Sequence, residues 1–420
     1  MMCSAFRLDG ILQFELHLSL REGSAPVKCR SRRYPPEHMQ FLERHIDELL
    51  TAGLVYRNNS SRYASPPRIV PKALPGDYRM TVDTRAVNAI TDPYTWPMPH
   101  LEVTLGLLDG SKVYFTLDWF RGYWQLPLHV DSREIFTIMT HRGMVTPTRV
   151  LMGGTDAVGY CQSVVEEIFQ PLLYHGLLAW LDDILGYATT IDELLDTLEK
   201  VLAACAEYGL KLHPDKCRFF LTSAKWCGKV VSAAGVSHCS SRIEGLTKLP
   251  MPTTAAELQR LLCAVNWMRQ SIPNYAEMVS PLMHLVDVAA KKAQSRKAAK
   301  LSKILLAELG WNGSHAQVIR KVKAALLEMV PLAHPDPNMA VCLCTDASLD
   351  FGIPEEELAL PIEEQHHRPL AFLSGRFVNA QSRWPTVEKE AYAIVESVKR
   401  LEYLLLRPKG FHLFTDHRNL

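Results

Sequence analysis

Two adjacent aspartates interrupt an apolar stretch, with Leu177-Leu178-Ala179-Trp180-Leu181 before Asp182 and Asp183 and Ile184-Leu185-Gly186-Tyr187 after them. Apolar flanks promise burial, and burying paired like charges is costly, so something cationic is expected to neutralise them. Two short apolar runs that meet at the pair read as strand-turn-strand, with the carboxylates at the hairpin tip. Carboxylate oxygens are the ligands magnesium prefers, although a solvent-facing turn would carry the same doublet. A third carboxylate, Asp118, ends the strand-like Val113-Tyr114-Phe115-Thr116-Leu117. Together the three can hold two metal ions roughly 3.5–4 Å apart, the arrangement that activates one oxygen and stabilises another in phosphoryl transfer.

The elements that must position these groups follow from the apolar periods. Pro35 to Gly53 puts Met39, Leu42, Ile46, Leu49 and Leu50 on one helical face, with Gly53 as a left-handed cap. From Tyr63 to Val87 short apolar runs alternate with Pro66, Pro67, Pro75 and Gly76, which suits strands joined by turns. Residues 113–128 and 177–188 read as strands, and 191–209 returns to helical period through Leu194, Leu198, Val201 and Cys205. Thr254 with Glu257 makes a capping box ahead of Leu258, Leu261, Leu262 and Val265. Residues 289–327 are helical in composition. Their cluster of Lys291, Lys292, Arg296, Lys297, Lys300 and Lys303 is either a solvated face or a nucleic-acid contact. A linker is expected over 331–338, then a strand at 341–345, a helix at 388–405 and a strand at 411–415.

With 420 residues the chain exceeds one ordinary core and divides into two or three units. Its 47% hydrophobic and 22% charged residues exclude a disordered chain. A net charge of +1 means that nucleic-acid binding must come from local basic surfaces. The ten cysteines lack zinc-knuckle spacing and read as reduced, mostly core thiols. No secretory leader and no membrane-spanning stretch are visible, which makes the cytoplasm the expected location.

Phe115-Thr116-Leu117-Asp118 with Gly122-Tyr123-Trp124-Gln125, followed by Trp180-Leu181-Asp182-Asp183, resembles the reverse transcriptases of gypsy-type long-terminal-repeat retrotransposons. Tyr78-Arg79-Met80-Thr81-Val82-Asp83, with Arg85 and Asn88, resembles the fingers motif of that family, and Trp96-Pro97-Met98-Pro99 its continuation. The similarity runs from about Arg21 to Leu420, with an interruption between Asp287 and Val330. It implies an α+β right-hand polymerase: an extension over 1–35, fingers and palm over 36–240, thumb over 241–288 and a helical connection over 289–337. A partial ribonuclease H-like α/β domain over 338–420 completes it.

The same resemblance implies that Asp118, Asp182 and, less directly, Asp183 bind two Mg2+ or Mn2+ ions, while Lys72 and Arg79 contact the incoming triphosphate. Tyr123 stands where the family blocks a ribose 2′-hydroxyl, and Gly153 belongs to the segment that lies against the templating base and the nucleotide. Lys216 falls near the leaving pyrophosphate, and Trp226-Cys227-Gly228 grips the primer end. In the ribonuclease H-like part Asp346, Glu390 and Asp416 would hold a second metal pair. The implied partners are an RNA or DNA template-primer, deoxynucleoside triphosphates and other retroelement Pol and Gag products, inside cytoplasmic particles. No membrane is involved.

Three departures qualify this reading. Residues 151–162 stand where the family reads Pro-Phe-Gly-Leu-x-Asn-Ala-Pro, and only Gly153, Ala157 and Gln162 agree well, while Met152, Gly154, Asp156 and Val158 differ. Trp180 replaces the usual tyrosine before the aspartates. After Gly352, Ile353-Pro354-Glu355-Glu356-Glu357 argues against the family's second central strand, and Leu420 follows soon after Asp416, ahead of the family's later helix and fourth acidic residue. The expectation is therefore a DNA polymerase copying RNA or DNA, with weak or absent ribonuclease H cleavage. The alternative is a decayed element fragment that binds nucleic acid without catalysis.

Overall fold

The structure, a computed structural model, describes residues 14–72, 74, 76–345, 349–353, 355–358, 360, 364–377, 381 and 383–415. The chain divides into two compact units, one of Met1–His100 with Lys112–Leu221 and one of Leu101–Ser111 with Thr222–Leu420. Residues 222–240, expected with the palm, cluster with the second unit.

The first unit opens with a helix at Pro36–Thr51 that starts on a proline and buries Leu42, Ile46 and Leu49. Gly53 ends it at φ 67°, as the spacing predicted. Its strands run β1 (Val55–Arg57), β2 (Pro67–Pro71), β3 (Tyr78–Val82), β4 (Val113–Asp118), β5 (Ile138–Thr140), β6 (Gly143–Pro147), β7 (Leu177–Trp180), β8 (Asp183–Ala188) and β9 (Arg218–Leu221). β2 and β3 form a hairpin, β1-β6-β5 a small sheet, and β7-β8-β4-β9 the antiparallel sheet that carries the aspartates. The helices Ala157–Phe169 and Ile191–Glu207 pack on that last sheet. Val164, Val165, Ile168 and Phe169 of the first helix join Phe115, Leu117, Leu177 and Ile184 in one buried cluster. A capping box of Thr190 and Glu193 starts the second helix.

The expected strand over 113–128 is corrected: it stops at Asp118, and Gly122–Gln125 is a short 3-10 turn. Arg121 and Gly122 both take positive φ, 59° and 41°, which breaks strand geometry where the aromatic composition favoured it.

In the second unit β10 (Ser223–Trp226), β11 (Lys229–Ser232) and β12 (Gly235–His238) make an antiparallel sheet. The helices Ala255–Asn266, Tyr275–Ala293 and Gly313–Leu327 share one core, built on Leu258, Leu262, Val279, Leu282, Ile319 and Val322. The expected boundary between residues 288 and 289 falls inside the middle helix, and residues on both sides of it contribute to that core. The expected linker over 331–338 is held in place. Val236 and Leu332 exchange backbone hydrogen bonds of 2.7 and 2.9 Å, and His334 donates to the Ser232 carbonyl at 2.8 Å.

Beyond it, β13 (Ala340–Cys344), β14 (Leu349–Ile353), β15 (Arg368–Phe372) and β16 (His412–Phe414) form a sheet in the order β15-β14-β13-β16. β14 corrects the argument drawn from Ile353 to Glu357: the internal strand forms, and it ends at Ile353, so the acidic run lies past it in a 3-10 turn. The cysteines need correction too. Nine among the described residues are free, and only Cys161, Cys205, Cys217 and Cys342 are buried, so the core-thiol reading holds for four of the nine.

Candidate active site

β4 and β8 pair so that Asp118 lies directly opposite Asp183, with Leu117 opposite Ile184. β7 and β8 are joined through Leu181 and Asp182, because Trp180 faces Asp183 across the hairpin. Leu181 sits in the left-handed region at φ 54°, a costly conformation for a non-glycine residue. The turn is held from below by Gln162. Its buried amide oxygen accepts from the Leu181 N–H at 2.9 Å, and its nitrogen donates to the Ala179 carbonyl at 3.3 Å. From the side, the Trp119 N–H reaches the Asp182 carbonyl at 3.3 Å. A Cβ on Gly122 would come within 3.7 Å of an Asp182 carboxylate oxygen, so the turn after β4 passes close to the carboxylate.

The three carboxylates therefore meet at one end of the sheet, and their electrostatics show it. Desolvation raises the Asp183 carboxyl to about 6, with Asp182 and Asp118 adding repulsion and Lys216 opposing it. The Asp182 carboxyl is raised too, by desolvation and then by Asp118, against the charges of Lys216 and Arg79. Both residues still reach solvent at the hairpin tip, so the protein removes only part of their water. Lys216 bridges both Asp118 oxygens, at 2.8 and 3.0 Å. Lys216, which the resemblance puts near the leaving pyrophosphate, has its ammonium on the Asp118 carboxylate, in a loop that the His213 N–H ties to the Asp118 carbonyl at 2.8 Å. Carboxylates whose repulsion one lysine only partly relieves are a donor set suited to hard divalent cations.

Around this centre Tyr123 is half-buried. Its phenol is raised to about 12 by burial, with smaller effects from Cys161 and Asp182. Cys161, buried on the helix below, is raised to about 12 by burial and by the Asp182 charge. Arg79 lies on β3 opposite Val70, and with Lys72 it lines a groove of about 510 Å³ on the β2-β3 hairpin. There Lys72 pairs with Asp77 at 3.0 Å. Gly153 has φ 109°, and its carbonyl accepts from Thr84 at 2.5 Å and from the Asn88 amide at 2.9 Å.

The remaining sequence-derived candidates lie elsewhere. Trp226, Cys227 and Gly228 belong to the second unit. Trp226 is buried, while Cys227 and Gly228 form the β10-β11 turn with φ 47° and 76°. The left-handed φ of Gly228 accounts for the glycine, and a Cβ there would also require the Arg242 guanidinium to move. Glu390 stands on the helix Thr386–Arg400, whereas Asp346 and Asp416 fall outside the described residues.

Two residues that the sequence motifs contain, but to which no role was assigned, position the site. Gln162 shares a helical face with Val165 and Phe169, and a polar residue in such a core stripe is itself a signal of an internal partner. Gln125 is fully buried. It donates to the carbonyls of Phe120 and Lys211 at 2.7 and 2.9 Å and accepts from the Lys211 N–H at 2.7 Å. It thereby fixes the turn after β4 to the loop that carries Lys216.

A mixed helix-and-sheet fold thus carries a carboxylate cluster of the kind that two-metal nucleotidyl transfer would use. Residues 70–232 match the family model for reverse transcriptase (RNA-dependent DNA polymerase). Residues 336–420 match that for the RNase H-like domain found in reverse transcriptase. The chain is 28% identical over 437 residues to the retrovirus-related Pol polyprotein from transposon 297 of Drosophila melanogaster, covering 99% of this chain and 39% of that protein. To the transposon Tf2-3 polyprotein of Schizosaccharomyces pombe it is 26% identical over 412 residues, covering 97% of this chain and 29% of that one. The chain thus spans well under half the length of these relatives.

Among solved structures, the foamy viral protease-reverse transcriptase in complex with RNA/DNA hybrid superposes with a TM-score of 0.79 at 21% identity, covering 97% of this chain and 52% of that one. A form of it in complex with double-stranded DNA gives 0.80 at 22%, covering 97% and 68%. These establish the right-hand polymerase fold. Domains of both matched kinds use divalent metal ions in general.

Proposed function

We propose that this chain extends a primer 3′-hydroxyl with deoxynucleotides along an RNA or DNA template. The observation that carries the proposal is the convergence of Asp118, Asp182 and Asp183 at one sheet end, with their charges only partly offset by Lys216. Asp118 and Asp182 would hold two divalent ions, Mg2+ or Mn2+, with Asp183 in support. When bound, such ions supply Lewis-acid activation of the hydroxyl and neutralise charge on the phosphates. The chain's own residues then orient. Gln162 and Gln125 hold the two turns in register, and Lys216 releases the carboxylate it occupies. Arg79 and Lys72 present fixed positive charge to the triphosphate, the arginine as a two-pronged donor. Tyr123, half-buried and near enough to Asp182 to feel its charge, would exclude a ribose 2′-hydroxyl.

A primed template with magnesium and deoxynucleotides tests this directly. The chain should elongate the primer, and Asp182→Asn should stop it. Elongation by the variant at the native rate would sink the assignment.

A second reading, nucleic-acid binding without catalysis, draws on the segment 151–158. Asp156 stands there in place of the family's asparagine, buried and accepting from the Tyr94 N–H at 3.0 Å. Steeply salt-dependent binding without elongation would favour that reading. For the ribonuclease H-like part, the presence of β14 removes one reason for expecting weak cleavage. Cutting of the RNA strand of a hybrid, lost in Glu390→Gln, would assign activity to it.

A further inference from the structure

We propose that His17, His129 and Asp131 form a transition-metal site of the zinc class, separate from the polymerase carboxylates, which clasps the N-terminal segment onto the first unit. One ligand atom from each of the three residues lies within 4.8 Å of the other two. The imidazoles of His17 and His129 stand with ring centroids 4.8 Å apart at a tilt of 54°, and the Asp131 carboxylate lies 3.6 Å from His129 Nδ1. Ligand atoms around a tetrahedral Zn2+ are about 3.3 Å apart, given metal–ligand bonds of about 2 Å. Side-chain rotation is needed to close the set, and His17 and Asp131 are both exposed.

What makes this more than a surface coincidence is the backbone beneath it. Leu16 and Leu128 form a parallel bridge, in which the Leu16 N–H donates to the Pro127 carbonyl at 3.1 Å and the His129 N–H to the Leu16 carbonyl at 3.0 Å. The Leu18 N–H donates to the buried hydroxyl of Ser132 at 2.9 Å. Leu16, Leu18 and Leu128 are all buried, so His17 and His129 are held side by side from both flanks. Two segments more than a hundred positions apart are thus pre-aligned, which lowers the ordering cost of binding a metal.

The donor set selects the ion. Two imidazole nitrogens and one carboxylate oxygen suit Zn2+ and its neighbours, whereas Mg2+ and Ca2+ favour sites built from oxygen alone. Three protein ligands leave a position for water. A metal there would link Phe14–Leu20 to the turn that opens the short helix Val130–Arg133, and so stabilise the first unit.

Co2+ titration of the untagged full chain near pH 7.5 provides the test. A saturable visible absorption from a four- or five-coordinate nitrogen–oxygen site is expected, without the near-ultraviolet band of thiolate ligation, and Zn2+ should displace it. Asp118→Asn and Asp182→Asn should retain the signal, whereas His17→Gln should lose it and Asp131→Asn should weaken it. His17 is exposed, so circular dichroism of His17→Gln should match that of the native chain. A folded His17→Gln chain with the full Co2+ signal, or no saturable signal from the native chain, overturns the proposal.

Discussion

At neutral pH Asp182 and Asp183 carry charges that their surroundings disfavour, and this strain has a measurable sign. The Asp183 carboxyl is raised to about 6. Between the ordinary aspartate value and that figure, the folded chain binds more protons than the unfolded one, so stability falls as pH rises through the interval. Asp183→Asn removes the penalty. In metal-free buffer it should raise the thermal midpoint at about pH 7.5 and lose that advantage below about pH 4, where both states are protonated. A thermal melt across pH in chelator checks this; no dependence of the difference on pH would contradict it. The aspartates were legible in the sequence because charge in an apolar run is conspicuous. Lys216 was less so. Its partner Asp118 lies far away in the chain, and a lone lysine carries no local mark of what it will neutralise.

At the level of elements, the catalytic hairpin depends on an amide in the helix beneath it. Gln162→Ala removes both bonds to the β7-β8 turn and leaves the Leu181 N–H without its acceptor, while Leu181 must still hold positive φ. A stability loss of about 1–3 kcal/mol is expected, with a fall in kcat for primer elongation that exceeds any rise in KM. Urea unfolding and steady-state kinetics measure the two. Gly186 on β8 is equally constrained, because a Cβ there would penetrate the buried Phe115 ring. Gly186→Ala should cost about 1–3 kcal/mol by overpacking. The hairpin itself was readable from two apolar runs around a polar pair. The 3-10 turn after Asp118 was not, since Gly122-Tyr123-Trp124 favours a strand by composition and only the tertiary fit of Gln125 settles the issue. The acidic run after Ile353 misled for a related reason: strand-breaking residues mark an end, and the end lay one step later than the pattern suggested.

Across the whole molecule, two compact units with separate hydrophobic clusters predict unfolding in more than one step. Gly186→Ala should move the transition of the first unit and leave the other at its native midpoint, which urea titration followed by calorimetry resolves. A single shared transition would show that the units unfold as one. The sequence indicated more than one unit from length alone, but not that 101–111 would cluster with residues beyond 222, because pairing between distant segments leaves no local periodicity.

That crossing of the chain between units has a consequence during synthesis. Leu101–Ser111 leaves the ribosome early, yet the unit it joins is encoded from Thr222 onward. Leu105 and Leu108, buried in the finished protein, must wait uncovered while more than a hundred further residues are translated. At translation speeds of about 5–20 residues per second, that interval lasts several seconds or more. Nascent chains stalled near residue 221 should therefore be aggregation-prone and bind holdase chaperones through this stretch, until the later unit emerges to cover it.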